Sequence, residues 1–280
     1  MSQLRRFAQV DVFTDQPLKG NALAVVIDGE GLDEAQMAAF ARWTNLSETT
    51  FLLPPTDPAA DYRVRIFTPG GELPFAGHPT LGSAHAWLAS GGDPRKPGEL
   101  VQQCAIGLVR LKRDGARLAF AAPPLRRCGP VEELALRAQV ARSLRLDEAE
   151  LLDVVWVDNG PGWMAARLKD AAAVLALHPD FLAMQGLKLG VVGAYPAGAA
   201  EAFEVRAFVP DLGVPEDPVT GSLNAGLALW LQGEGLAPER YIALQGAALG
   251  RAGKVHVARE GEHTWIGGDV TPLIHGQVRL

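Results

Sequence analysis

The sequence predicts an α+β protein made of two similar halves, and three observations carry that expectation. Short runs of β-branched and aromatic residues recur between Gly, Pro and Asn breakers along the 280-residue chain, which is the pattern of strands joined by turns. Helical periodicity is confined to a few separate stretches. A strand, loop and helix unit also occurs twice. Val64-Arg65-Ile66-Phe67-Thr68-Pro69 matches Val205-Arg206-Ala207-Phe208-Val209-Pro210 at an offset of 141, Leu73-Pro74 matches Val214-Pro215 at the same offset, and Trp87-Leu88 matches Trp230-Leu231 at 143. An offset near half the length implies duplication. The expected domains are 1–124 and 125–280, divided at Pro123-Pro124, with the last strand able to return to the first domain.

From the N-terminus, Val10, Val12, Leu23, Val25 and Ile27 alternate around the breakers Pro17 and Gly20-Asn21, which predicts a hairpin with a long turn. Asp33 and Gln36 form a capping box and Leu32 and Met37 a hydrophobic staple, so a helix is expected to about Trp43. Strand character returns at Thr49–Leu53, which places Glu48 at a junction. Val64 to Phe67 form the next strand, Pro69-Gly70-Gly71 breaks it, and Pro79 opens a helix running through Leu88. Strands follow over 100–111 and 118–122, then a helix over 132–144 and a second helical pattern over 147–152. Strands over 154–157 and 163–168 flank Asp158-Asn159-Gly160-Pro161-Gly162. Short helices at 171–177 and 179–185 precede strands at 189–195 and 202–208.

Composition narrows the function. With 48% hydrophobic and 21% charged residues, the chain has an ordinary globular make-up. A net charge of −6 and a pI near 5.6, with no basic run, exclude the electrostatic footprint of a nucleic-acid or anionic-membrane binder. No uninterrupted apolar segment approaches membrane-spanning length, and a cytoplasmic location is expected. Cys104 and Cys128 have no metal-ligand spacing and read as unpaired thiols.

Chemistry gathers in the repeated loops. Gly77-His78 stands at a helix start, where unpaired N–H groups and the helix dipole favour an anion. The second copy carries Glu216-Asp217-Pro218-Val219-Thr220-Gly221-Ser222, in which Asp217 and Ser222 suit either N-capping or catalysis. If a pseudo-twofold axis relates the halves, Gly77-His78 faces Gly221-Ser222 across a cleft suited to a small ligand. His85, His178, His256, His263 and His275 make no metal motif.

Three segments in this order, Asn45-Leu46-Ser47-Glu48-Thr49-Thr50-Phe51, Phe75-Ala76-Gly77-His78-Pro79-Thr80 and Glu216 to Ser222, together resemble the PhzF family of phenazine-biosynthesis isomerases and their homologues. Gly20-Asn21, Phe67-Thr68-Pro69, Asn159-Gly160-Pro161, Leu177-His178-Pro179-Asp180, Leu244-Gln245-Gly246 and Gly250-Arg251 extend the resemblance along nearly the whole chain.

The resemblance implies a diaminopimelate-epimerase-like fold, two pseudo-symmetric domains each with a β-barrel-like sheet around a central helix, and an active site between them. It implies a homodimer acting on a small carboxylic acid such as trans-2,3-dihydro-3-hydroxyanthranilate, with neither cofactor nor metal. By motif, Glu48 lifts and returns the proton, His78 and Asp217 contact the substrate's polar groups, and Gly77, Gly221 and Ser222 hold its carboxylate. A glutamate needs partial desolvation for this work, because its reference pKa is about 4.3.

Racemases of the same fold use a thiol at each helix start. Here Ala76 and Thr220 occupy those places, which disfavours the two-thiol chemistry. One departure concerns substrate: the Asn-Gly-Pro loop continues with Gly162-Trp163, where a basic residue is expected in the phenazine enzyme itself. The alternatives are racemisation or epimerisation of a small amino or hydroxy acid, or non-catalytic binding of a small acid.

Overall fold

The computed structural model describes residues 2–280. The chain divides into two compact units, one formed by residues up to Ala121 with Gly267–Leu280, the other by Ala122–Ile266. The first unit runs β1 (Leu4–Val12), β2 (Asn21–Val26), α1 (Glu34–Thr44), β3 (Glu48–Leu53), β4 (Tyr62–Thr68), β5 (Gly71–Leu73), α2 (Gly77–Ala89), β6 (Glu99–Cys104), β7 (Gly107–Asp114) and β8 (Arg117–Ala121). The second contains β9 (Arg127–Pro130), α3 (Leu134–Leu144), β10 (Asp153–Asp158), β11 (Met164–Arg167), α4 (Ala171–Leu175), β12 (Leu189–Ala194), β13 (Phe203–Val209), β14 (Val214–Asp217), α5 (Gly221–Gly233), β15 (Arg240–Gln245) and β16 (Gly253–Glu260). It leaves along β17 (His263–Gly268), and β18 (Val270–Arg279) completes the first unit beside β1.

Strand pairing carries the duplication. From β1 through β2, β3, β4 and β6 to β7 the pairings are antiparallel, parallel, antiparallel, parallel and antiparallel. The same alternation runs from β10 through β11, β12, β13 and β15 to β16. Counted from their first residues Gly77 and Gly221, α2 and α5 are offset by 144, so Trp87 corresponds to Leu231 and not to Trp230.

Each unit wraps its sheet around one buried helix. Residues 77–84 of α2 and 221–228 of α5 are buried without interruption. Most of their side chains are apolar or small, and the buried polar ones include His78, Thr80 and Ser83 of α2 and Ser222 and Asn224 of α5. Matching glycines allow the close approach. A Cβ on Gly82 would lie 2.5 Å from a Leu23 methyl, and one on Gly226 would lie 2.3 Å from the Val157 carbonyl. Outside the first sheet, α1 lays Met37, Phe40 and Ala41 on Phe51 and Phe67. Its start carries the expected capping box, with Gln36 N donating to Asp33 Oδ1 at 2.8 Å and Asp33 N to Gln36 Oε1 at 3.0 Å. In the second unit α3 and α4 close a core that includes Val140, Leu144, Val174 and Phe208.

Two expected elements differ. The strand run over 100–111 is broken into β6 and β7 by a turn ending at Gly107, whose φ is +106°. The helix expected over 179–185 is a series of turns, opened by Asp180 Oδ1 accepting from Leu182 N and Ala183 N. Both cysteines are free thiols. Among the described residues, no helix is long and apolar enough to cross a membrane.

One ion pair is present twice in different surroundings. Arg65 donates to Glu72 through Nε and Nη2 at 2.7 and 2.6 Å, with side chains 26% and 31% exposed. Arg206 donates to Glu216 in the same bidentate manner at 2.9 and 2.7 Å, with both side chains under one-tenth exposed, and also caps the Leu177 carbonyl at 2.8 Å. Removing one partner of a buried pair strands the other charge, whereas an exposed pair is screened. Arg206→Met is therefore expected to cost about 3–5 kcal/mol and Arg65→Met about 1 kcal/mol or less, read by urea unfolding. Equal losses would contradict the assignment.

Candidate active site

In the first unit, α1 ends at Asn45, a left-handed C-cap with φ +53°, and the chain turns at once into β3. Glu48 is the first residue of β3, opposite Leu23 of β2. Its side chain is 13% exposed, and Oε2 lies 3.3 Å from His78 Nε2. That approach is within ion-pair range but outside the geometry of a linear hydrogen bond. His78, the second residue of α2, is buried, and its Nδ1 accepts from Asn21 Nδ2 at 3.3 Å. Burial lowers the His78 pKa to about 3, so the ring is neutral at physiological pH.

The start of α2 is left open. Ala76 stands at the N-cap with no capping side chain, and no acidic residue occupies the first turn. Thr80 N donates to the Ala76 carbonyl at 3.2 Å, and Pro79 has no N–H. The donors Gly77 N–H and His78 N–H thus remain at the helix start, a pair suited to the two oxygens of a carboxylate.

In the second unit, Asp217 ends β14 and Thr220 occupies the N-cap of α5, also without capping it. The Thr220 hydroxyl is turned away, donating to Asp217 Oδ2 at 2.6 Å and accepting from Gln245 Nε2 at 3.0 Å. Gln245 Oε1 accepts from Thr220 N and Asn224 Nδ2, at 3.0 and 2.9 Å. Neither Asp217 nor Ser222 is the N-cap that its residue type permits. Ser222 lies in the first turn, where its Oγ accepts from the Trp163 indole N–H at 3.0 Å and its carbonyl from Asn159 Nδ2 at 2.8 Å. The hydroxyl proton of Ser222 is consequently directed elsewhere than Trp163. Asp158 Oδ1 holds the intervening loop by accepting from Gly160 N and Gly162 N at 2.7 and 2.6 Å. A Cβ on Gly160 would sit 3.9 Å from the Arg126 guanidinium carbon.

The family model described as phenazine biosynthesis-like protein, PhzC-PhzF, matches residues 10–276. The chain belongs to this family. Its similarity to antisense-enhancing sequence 1 of Schizosaccharomyces pombe is 34% identity over 289 residues, covering 97% of each chain. Similarity to the trans-2,3-dihydro-3-hydroxyanthranilate isomerase of Pseudomonas aeruginosa is also 34%, over 264 residues, covering 92% of this chain and 91% of the relative. A PhzF-family crystal structure from Enterococcus faecalis superposes with a TM-score of 0.80 at 26% identity, covering all of both chains.

The PhzC-PhzF family is one of isomerases, and the chain takes its place in that enzyme class with the epimerase-like fold expected from sequence. Where a two-thiol racemase of this fold would hold its cysteines, the chain has the buried methyl of Ala76 and the engaged hydroxyl of Thr220. Cys104 lies on β6 and Cys128 on β9, away from both helix starts in sequence.

Glu48, His78 and Gly77 come together in the first unit, and Asp217, Gly221 and Ser222 cluster around the start of α5 in the second. Sequence reading gave no role to Asn21, Gln245 or Trp163. Each had a signal: an asparagine after a breaker glycine, an amide closing an otherwise apolar run before Gly246, and a tryptophan where a basic residue was expected.

Because the His78 pKa is lowered from 6.5 to about 3, protonation favours the unfolded chain. The stability this burial permits is present above pH 6.5 and is lost as pH falls from 6.5 toward 3. Between pH 8 and pH 5 the cost is about 2 kcal/mol. Urea unfolding at those two pH values should show wild type losing that much more stability than His78→Gln. An identical loss in both proteins would contradict burial of a neutral ring.

Proposed function

We propose that the protein is a cofactor-independent isomerase that moves a proton within a small cyclic amino or hydroxy carboxylic acid, of the trans-2,3-dihydro-3-hydroxyanthranilate type. The observation that carries this reading is the Glu48 carboxyl, largely removed from water and 3.3 Å from a buried neutral imidazole beside an uncapped helix start. Desolvation raises the proton affinity of a carboxylate, and a single carboxylate near neutrality can then accept a proton from carbon and return it.

In this reading the carboxylate-holding groups are the Gly77 N–H in the first unit and, in the second, the Gly221 N–H and the Ser222 hydroxyl. Anion binding there fixes the reacting carbon over Glu48, which makes proton transfer a positioned event. His78 and Asp217 contact the substrate's amino or hydroxyl groups. Glu48 takes a proton from one carbon and delivers it to another, so no net proton is consumed. The name of the Pseudomonas relative supports the substrate type, and the shared segments around Glu48, His78 and Asp217 support the roles.

The test is proton exchange. Incubated in D2O with trans-2,3-dihydro-3-hydroxyanthranilate and related cyclic amino acids, wild type should place deuterium on a substrate carbon, followed by NMR. Glu48→Gln should slow this by roughly 10²–10⁴-fold while leaving the folded spectrum intact. Full activity in that variant would remove Glu48 from the mechanism.

A further inference from the structure

Asn21 stands at the far side of the His78 ring from Glu48, and no family motif read from the sequence gives it a chemical role. An amide NH2 group only donates, so a ring nitrogen that meets it must present its lone pair. His78 Nδ1 meets Asn21 Nδ2 at 3.3 Å, and His78 Nε2 meets Glu48 Oε2 at 3.3 Å. We infer that Asn21 is a positioning residue that fixes His78 in the neutral tautomer with its proton on Nε2, the ring nitrogen nearest the Glu48 carboxylate.

The backbone around Asn21 is built to hold that amide. Gly20 N donates to Asp11 Oδ2 at 3.0 Å, and Asp11 is buried on β1. A Cβ on Gly20 would come within 2.1 Å of the Val12 carbonyl, so only glycine lets the chain enter β2 along this path. Asn21 then pairs with Val12 as the first residue of β2 and is itself 1% exposed. Asn21 and His78 are 57 residues apart in sequence, and the rigid contact of α2 with β1 and β2 brings them together.

The tautomer has a chemical consequence that rests on the proposed role of Glu48. A neutral Nε2–H stabilises the ionised carboxylate, the form that accepts a proton from carbon, without adding a charge to the site. The opposite tautomer would aim a lone pair at Glu48 and favour its protonated form, removing the base. Burial adds to the same end, since the imidazolium is disfavoured there. The proton on Nε2 is not consumed in the cycle. Glu48 alone exchanges a proton with the substrate, and Asn21 acts only through His78.

The experiment is histidine ¹⁵N NMR on the full-length protein at pH 7, with the His78 signals assigned by their loss in His78→Gln. Wild type should show an unprotonated Nδ1 and a protonated Nε2. Asn21→Asp is nearly isosteric but offers only acceptor oxygens at neutral pH, and it should invert the tautomer or charge the ring. A wild-type ring protonated on Nδ1, or an unchanged tautomer in Asn21→Asp, would overturn the inference. Should Asn21→Asp fail to fold, Asn21→Ala is expected to show both tautomers, and a single unchanged Nε2–H form would count against the role. The spectra need no substrate, so a failed proton-exchange assay leaves this result readable. Where turnover is measurable, Asn21→Asp should lower kcat by roughly 10²-fold with KM little changed.

Discussion

Both units turn on a buried helix start that no side chain caps. The first N–H groups of any α-helix lack partners within it, and burying them without a substitute is costly. Two other helices are capped in the ordinary way. Asp33 and Gln36 close the start of α1, and Asp170 accepts from Ala173 N at the start of α4. At α2 and α5 the N-cap residues Ala76 and Thr220 leave the donors open. In one case there is no polar atom to offer, and in the other the hydroxyl is committed to Asp217 and Gln245. The burial of these two helices also fixes the sheet around them, and the glycines at 82 and 226 leave no room for a Cβ between helix and strand. An anion at such a start answers an electrostatic demand that the fold itself creates.

The duplication distributes chemistry unequally. Glu48 begins β3, and the residue at the corresponding place, the start of β12 at the 141 offset, is Leu189, wholly buried. His78 corresponds to Ser222, each the second residue of its central helix. The first half therefore holds a carboxylate and an imidazole where the second holds a leucine and a hydroxyl. Two equivalent bases, as a symmetric racemase needs, are absent from these equivalent positions. A single acid/base that both lifts and returns a proton is the chemistry such a pattern accommodates. Structural pairs drifted in the same way: the Arg and Glu of β4 and β5 are half-exposed, and their counterparts on β13 and β14 are sealed under α4.

Much of this was legible in the sequence. The repeat at 141 marked equivalent strands, Asp33 and Gln36 marked a helix start, and the segments around Glu48, His78 and Asp217 marked the family. What escaped depends on contacts between distant residues or on local side-chain bonds that override periodicity. Asn21 looked like turn punctuation because its partner lies on α2. Asp217 and Ser222 suited capping and chemistry alike by residue type; the helix begins after Thr220, and Asp217 lies in the preceding strand. The turns after Pro179 read as helix because the apolar spacing allowed it, and Asp180 accepts from Leu182 N and Ala183 N as a helix N-cap would, but the chain continues in turns.

Relatives at the same 34% identity carry names as different as an antisense-enhancing sequence and a dihydro-hydroxyanthranilate isomerase, so overall identity does not separate their functions. The loop over 158–163 carries Gly162-Trp163 where the family resemblance led to the expectation of a basic residue. A basic side chain there would bring full charge toward a bound acid, whereas Trp163 donates a neutral N–H to Ser222 and orients a hydroxyl instead. Charge reaches the same loop from Arg126, a different segment, over Gly160. Neutral donors hold a carboxylate with geometry rather than charge. Under the proposed function, such donors make recognition depend on ring shape and on the placement of hydroxyl or amino groups, the features by which small cyclic acids differ from one another.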